Sequence, residues 1–137
     1  MTVRLHHVAL VATDPERSAA FYQQIFGLER LSRPPCKIEG VGLDCGPGLQ
    51  LHLTKHLPGN FRTGGVDNND VHFALRTDDF EGILARVIAA SFPEDATQGD
   101  PKRILVNRSG MAGFLRLYLM DPDRNIIEVN TALEHPQ

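Results

Sequence analysis

The strongest constraint on the fold of this chain is that it repeats itself. The segment Asp70-Val71-His72-Phe73-Ala74-Leu75 echoes Leu5-His6-His7-Val8-Ala9-Leu10. Superposing His72 on His7 also superposes Ala74 on Ala9, Leu75 on Leu10, Asp79 on Asp14, Glu81 on Glu16 and Ala85 on Ala20. Self-similarity of this kind marks a duplicated supersecondary unit. With 137 residues the chain has room for one ordinary domain rather than two. The copies are therefore expected to share a single domain, 1–137, as modules spanning 1–57 and 70–131.

Each module reads as β-α-β-β-β. Residues 3–12 alternate, placing Val3, Leu5, His7, Ala9 and Val11 on one face, which is read as the apolar one. Thr13-Asp14-Pro15-Glu16 starts a helix, with Thr13 or Asp14 as cap, Pro15 in the first turn and Glu16 able to close a capping box with Thr13. Phe21, Tyr22, Ile25 and Leu28 form its apolar stripe and Gly27 marks its end. From Glu29 to about Leu53 come three short strands, interrupted at Arg33-Pro34-Pro35 and turned at Gly46-Pro47-Gly48.

After a turn-rich connector over 57–69, the second module offers a strand over 70–76 and a helix capped by Asp78. That helix carries Phe80, Ile83, Leu84, Val87 and Ile88 at helical spacing. A polar loop over 93–103 leads to a short strand, Ile104-Leu105-Val106, and then to a glycine-containing loop from Arg108 to Gly113. A strand over 114–120, the turn Asp121-Pro122-Asp123-Arg124-Asn125 and a last strand, Ile126 to Asn130, complete the module. The expected class is α+β, with the two modules forming a curled mixed sheet around a cleft.

The repeat also extends to the far end of each module. Superposing the turn at Cys45 on the turn at Asp121 pairs Leu51 with Ile127, His52 with Glu128 and Leu53 with Val129. Four positions in two equivalent pairs result: His7 with His72, and His52 with Glu128. A lone strand histidine is ordinarily a core or surface residue with a satisfied hydrogen bond. A glutamate within Ile126-Ile127-Glu128-Val129 is rarer, because a carboxylate on an inward face needs a partner. Imidazoles plus a carboxylate suit a divalent transition metal such as Mn, Fe, Co, Ni or Zn, not calcium. His6 falls on the opposite strand face and is set aside as a ligand.

Composition narrows the partners. Apolar content of 42%, charged content of 23% and a formal charge of −3 describe an ordinary globular protein without a basic stripe, so a nucleic-acid partner is not expected. No apolar run approaches a membrane span and the N-terminus reads as strand, so no membrane partner and a cytoplasmic location are expected. Cys36 and Cys45 have neither disulfide-framework numbers nor metal-site spacing and read as reduced thiols.

Taken together, Leu5-His6-His7-Val8-Ala9-Leu10, the run from Asp14 to Gly27-Leu28, Val71-His72-Phe73-Ala74 and Asp121-Pro122-Asp123-Arg124-Asn125-Ile126-Ile127-Glu128 resemble the vicinal oxygen chelate superfamily over nearly the whole chain. Its members include glyoxalase I, methylmalonyl-CoA epimerase, fosfomycin-resistance thiol transferases and extradiol dioxygenases. The resemblance implies paired β-α-β-β-β modules around a metal-binding cleft, often completed by a second subunit, so a homodimer is expected.

By motif match, His7, His72 and Glu128 stand where that family places metal ligands. His52 stands where glyoxalase I has a glutamate and the epimerase a glutamine. Arg124 replaces the usual glycine of the turn, with Asn125 the residue expected to take a left-handed conformation.

The implied chemistry is chelation of two neighbouring substrate oxygens by the metal, with Glu128 as the base that moves a proton next to a carbonyl. Arg76, which shares a face with His72, Tyr118 and Arg108 are the candidate substrate-binding residues. The leading expectation is a metal-dependent lyase or isomerase of the glyoxalase type acting on a small carbonyl or thiol-adduct substrate. A thiol transferase or dioxygenase-like enzyme of the same superfamily, or a noncatalytic small-molecule-binding protein on the same fold, are the alternatives. Extradiol dioxygenases usually carry about twice as many modules, which weighs against that chemistry.

Overall fold

The computed structural model describes residues 2–32, 39–108 and 114–132. It divides into two compact units, Met1–Phe61 and Arg62–Gln137. The predicted Arg33-Pro34-Pro35 interruption, Cys36 and the segment from Ser109 to Gly113 lie outside the described residues. The class is α+β, as expected.

In the first unit the order is β1 (His7–Ala12), α1 (Pro15–Phe26), β2 (Gly40–Asp44) and β3 (Gln50–Lys55). The sheet runs β1-β3-β2, with β1 parallel and β2 antiparallel to β3. The strand expected directly after Glu29 is represented among the described residues by one antiparallel bridge, Arg30 to Leu43. Strand β1 starts at His7, later than the predicted residue 3.

Its face assignment is also corrected. Ala12, Leu51, Leu53, Val41 and Leu43 are buried, and α1 lies against β2 and β3. Register puts Val8, Leu10 and Ala12 on that covered face. His7 and Ala9 are exposed, on the other side. The small Ala9 and the many β-branched neighbours made both faces of this strand look apolar.

The second unit contains β4 (His72–Arg76), α2 (Phe80–Ala89), β5 (Leu105–Asn107), β6 (Arg116–Met120) and β7 (Ile126–Asn130). Its sheet is ordered β4-β7-β6-β5, with β4 parallel to β7 and the other pairs antiparallel. The two sheets are set in equivalent register. His7 faces Gln50 and Ala9 faces His52 in one, while His72 faces Ile126 and Ala74 faces Glu128 in the other.

Sheet register sorts the second unit's side chains into two faces. One holds Phe73, Leu75, Leu117, Leu119, Ile127 and Val129, of which the last four are wholly buried. The apolar stripe of α2 (Phe80, Ile83, Leu84, Val87) is buried too. The other face is built in rows across the strands. His72, Ile126 and Met120 form the first; Ala74, Glu128, Tyr118 and Leu105 the second; Arg76, Asn130, Arg116 and Asn107 the third. Tyr118, Met120 and Ile126 pack together with Leu105 and with Val66 of the connector, giving this face an apolar floor at one end.

Caps fix where the helices start. Asp14 is the N-cap of α1, its carboxylate accepting from the Arg17 amide at 3.2 Å, and Gly27 ends the helix in the left-handed region at φ 67°. The capping box with Glu16 does not form, since Glu16 instead pairs with Arg30 at 2.6 Å. At α2 the cap is Asp79, not the expected Asp78. Asp79 accepts from the Gly82 amide at 3.1 Å, while Thr77 Oγ1 accepts from the Asp79 amide at 2.9 Å. Thr77 thereby holds the backbone one residue further on than spacing alone suggests. Replacing Asp79 with alanine is expected to cost about 1 kcal/mol, and Asp78→Ala less than about 0.5 kcal/mol, in urea melts.

The turn before β7 also differs from expectation. Arg124 itself, not Asn125, adopts the left-handed conformation, at φ 66°. The carboxylate of Asp121 accepts from the amides of Asp123 and Asn125 and from the Asn125 side chain, which keeps Asn125 in place. Arg124 is held there by hydrogen bonds at both ends: its guanidinium donates to Gly64 O at 3.1 Å, and its carbonyl accepts from Arg62 at 2.6 Å.

Candidate functional site

Glu128 is the hub of the open face of the second unit. Its Oε1 accepts a 2.7 Å hydrogen bond from the Tyr118 hydroxyl, and its Oε2 accepts a short one from the Asn130 amide group. Register explains both contacts. Tyr118 lies directly across the strand pair from Glu128, and Asn130 lies two residues along the same strand. His72 Nε2 stands 3.4 Å from Oε1, with 25% of the histidine and 12% of the glutamate side chain exposed. The Tyr118 ring meets the His72 ring edge to face at 5.5 Å.

The carboxylate is held in its ionised form. Burial alone would push the Glu128 carboxyl up, but the hydrogen bonds from Asn130 and Tyr118 and the charges of His72 and Arg116 outweigh it, leaving the group below its usual range. Tyr118 moves the other way: burial, and then its bond to the glutamate's negative charge, raise its hydroxyl. The pair is thus a phenol donating to a carboxylate.

His72 is oriented by its own strand entry. Nδ1 lies 2.8 Å from the Asp70 carbonyl, an acceptor only, so Nδ1 carries the proton in that bond. In the neutral ring this leaves a lone pair on Nε2 facing a carboxylate oxygen. An imidazole whose far nitrogen donates to a backbone carbonyl, next to a carboxylate, is also the arrangement that tunes histidine as a metal ligand. An imidazole and a carboxylate are donor types that suit a divalent transition cation.

The first unit carries the other ligand-type pair. His7 and His52 stack with ring centroids 4.1 Å apart and planes 14° from parallel. His52 Nε2 lies 2.8 Å from Gln50 Oε1, and the Nδ1 atoms of His6 and His7 lie 2.9 Å apart. His6 sits just before β1, so strand alternation does not send it to the opposite side. It joins His7 instead. Among the described residues, no three His, Cys, Asp or Glu side chains gather in a metal-holding group.

Of the three residues expected to bind substrate, two fall on the open face. Tyr118 bonds the hub, and Arg76 donates through Nε to Asn130 Oδ1 at 3.0 Å, so it reaches Glu128 through Asn130. Arg108 points elsewhere, toward Glu94 at 3.5 Å and Glu81 of α2 at 4.0 Å. Asn130 and Arg116 are the residues that motif reading passed over. Both sit two positions from a chosen residue on the same strand, so alternation from Glu128 and Tyr118 was the signal that would have found them. Cys45 is free, and burial raises its thiol, which suits an inert side chain.

Comparison with known proteins agrees with this architecture. The family model of the Glyoxalase/Bleomycin resistance protein/Dioxygenase superfamily matches residues 4–129. A putative glyoxalase family protein from Bacillus anthracis superposes with a TM-score of 0.71 at 20% identity, covering 96% of each chain. The lactoylglutathione lyase of Agrobacterium tumefaciens gives 0.62 at 24% identity, covering 96% of this chain and 95% of that one. The genomically encoded fosfomycin resistance protein FosX of Listeria monocytogenes gives 0.67 at 16% identity with the same coverage. At these identities the likeness is one of fold. No curated protein matches the sequence, and no helix among the described residues is long and apolar enough to cross a membrane.

Proposed function

Because the chain belongs to the Glyoxalase/Bleomycin resistance protein/Dioxygenase superfamily, we propose that it is a metal-dependent lyase or isomerase of the glyoxalase type, acting on a small carbonyl or thiol-adduct substrate. The observation that carries this reading is the His72 Nε2 to Glu128 Oε1 approach at 3.4 Å, with the carboxylate held ionised. His72 and Glu128 would hold the cation, with His7 and His52 proposed from the sequence repeat as the remaining donors. A divalent cation there supplies Lewis-acid polarisation of substrate oxygens.

The chain's own groups do the rest. Glu128, ionised at neutral pH, is the base for a proton next to a carbonyl. Tyr118 and Asn130, both donating to it, fix the direction in which its oxygens point. The Asp70 carbonyl holds the His72 ring in one tautomer. The floor of Tyr118, Met120, Ile126, Leu105 and Val66 keeps water away from one side of the carboxylate.

Metal analysis of the purified protein, followed by assays on methylglyoxal–thiol adducts with and without that metal, tests the reading. Bound divalent metal is expected in the wild type and is expected to be lost in His72→Ala. Unchanged metal content in that variant, or no turnover of any such adduct by the metal-loaded enzyme, overturns it.

A further inference from the structure

The third row of the open face does more than support Glu128 through Asn130 and Arg116: it is the most cationic stretch of the sheet. Arg76 on β4 and Arg116 on β6 are both register partners of Asn130, one on each side of it. The two guanidinium groups belong to strands separated by β7, which sets their backbones about 10 Å apart. Neither arginine meets a carboxylate within ion-pair distance among the described residues, whereas every other ion pair of this unit lies away from this row.

Arg76 uses Nε on Asn130. Arg116 Nε is buried and has no hydrogen-bond partner among the described residues; its guanidinium lies over the Phe114 ring at 5.7 Å and also acts on Tyr118 and Glu128. Arg76 is exposed and, among the described residues, is engaged through Nε, so the row leaves guanidinium donors for an acceptor that arrives from outside the chain. Planar guanidinium forks are the groups best matched to two-oxygen anions.

We infer that Arg76 and Arg116, flanking Asn130, form an oxyanion subsite for a carboxylate or phosphoryl group carried by the substrate. The inference rests on the reading that substrate lies on this face, and it deepens that reading by giving the substrate a polarity. The face runs from an apolar end at Ile126, Met120 and Val66, through Glu128 in the middle, to the arginine row. The substrate is then a small molecule with its reacting carbon at Glu128 and an anionic tail toward the arginines.

The spacing of rows sets the length of that tail. Residues two apart on a strand are separated by about 7 Å. Three carbon–carbon bonds span roughly 4 Å, and one hydrogen bond adds about 3 Å. A carbonyl three bonds from its carboxylate, as in 4-oxopentanoate, fits the interval.

Titration calorimetry on the full chain, as purified and again after chelator treatment, tests this with 4-oxopentanoate, its methyl ester and inorganic phosphate as probes. 4-Oxopentanoate or phosphate is expected to bind at least about tenfold more tightly than the neutral ester, and the tighter of the two tells carboxylate from phosphoryl. Arg76→Gln and Arg116→Gln are each expected to weaken the anion by about tenfold or more. Glu128→Gln, which removes a nearby negative charge, is expected to retain or tighten it. Arg76 is exposed, so its variant carries the test even if Arg116→Gln unfolds. Ester binding as tight as both anions, or anion affinity unchanged in Arg76→Gln and in folded Arg116→Gln, overturns the inference. Anion binding that persists after chelation in a protein without lyase activity leaves this subsite standing and removes the proposed reaction.

Discussion

Replacing Glu128 with glutamine is expected to lower kcat on a methylglyoxal–thiol adduct by about 10³-fold, since loss of a positioned base alone costs 10²–10⁴-fold. Glutamine preserves the shape and one carbonyl oxygen, so Tyr118 keeps its acceptor. What disappears is the negative charge that faces His72 and Arg116. The fold is expected to survive with a loss of about 1 kcal/mol, because the variant trades charge-assisted hydrogen bonds for neutral ones.

The pH dependence separates the two effects. Glu128 is held below its ordinary carboxyl value of 4.5 in the folded protein. A group depressed on folding contributes stability that is fully present above its unfolded value and is lost as pH falls through the folded one. The stability gap between wild type and Glu128→Gln should therefore be constant from neutral pH down to about 4.5 and should shrink below that. A gap that widens with acid would mean that the carboxyl is raised instead. Thermal melts of both proteins across that interval make the measurement, while kcat/KM at neutral pH reads the chemistry.

Much of this site was legible because duplication fixes relationships that a single strand leaves open. Pairing His72 with His7 and Glu128 with His52 in the sequence names the same positions that strand register places equivalently in the two sheets. The face assignment in β1 was not legible. Val8, Ala9, Leu10 and Val11 are all apolar, so periodicity had nothing to distinguish. Only the packing of α1 decides that Ala12 and its alternation mates are inside.

Caps were half legible, since spacing offered Thr13 or Asp14 for α1, of which Asp14 caps it, but could not see that Thr77 takes the Asp79 amide and shifts the start of α2. Arg124 was misjudged for a related reason. Its left-handed backbone is held by contacts with Arg62 and Gly64, some sixty residues away in the chain. Arg108 was a candidate substrate-binding residue, yet its nearest charges are glutamates that only the fold brings near. Alternation from Tyr118 places Arg116 on the same face, but that its Nε is buried without a partner among the described residues is a fact no local pattern carries.

Leu119→Ala is expected to destabilise the protein by about 3 kcal/mol, the middle of the range for deleting a fully buried leucine. Leu119 is 0% exposed and sits between Ile127 and the rest of the covered face in the centre of the four-stranded sheet. Pairing with β7 at Leu119 and with β5 up to Tyr118 leaves little freedom for the sheet to collapse into the cavity, so relaxation recovers little of the loss. A total folding free energy of about 5–15 kcal/mol makes this a large fraction, visible as a fall in melting temperature of roughly 10 °C.

The contrasting substitution is Ala74→Leu, two strands away on the open face. Ala74 is exposed and is the register partner of Glu128, so a leucine there enters the space in front of the carboxylate without touching the core. It should change stability by less than about 0.5 kcal/mol while reducing both turnover and anion binding. If Leu119→Ala instead spared stability, or Ala74→Leu unfolded the protein, the two faces would have been assigned the wrong way round, and with them the side on which Glu128 meets its substrate. Urea melts of the two variants, read beside their kinetics, decide between the faces.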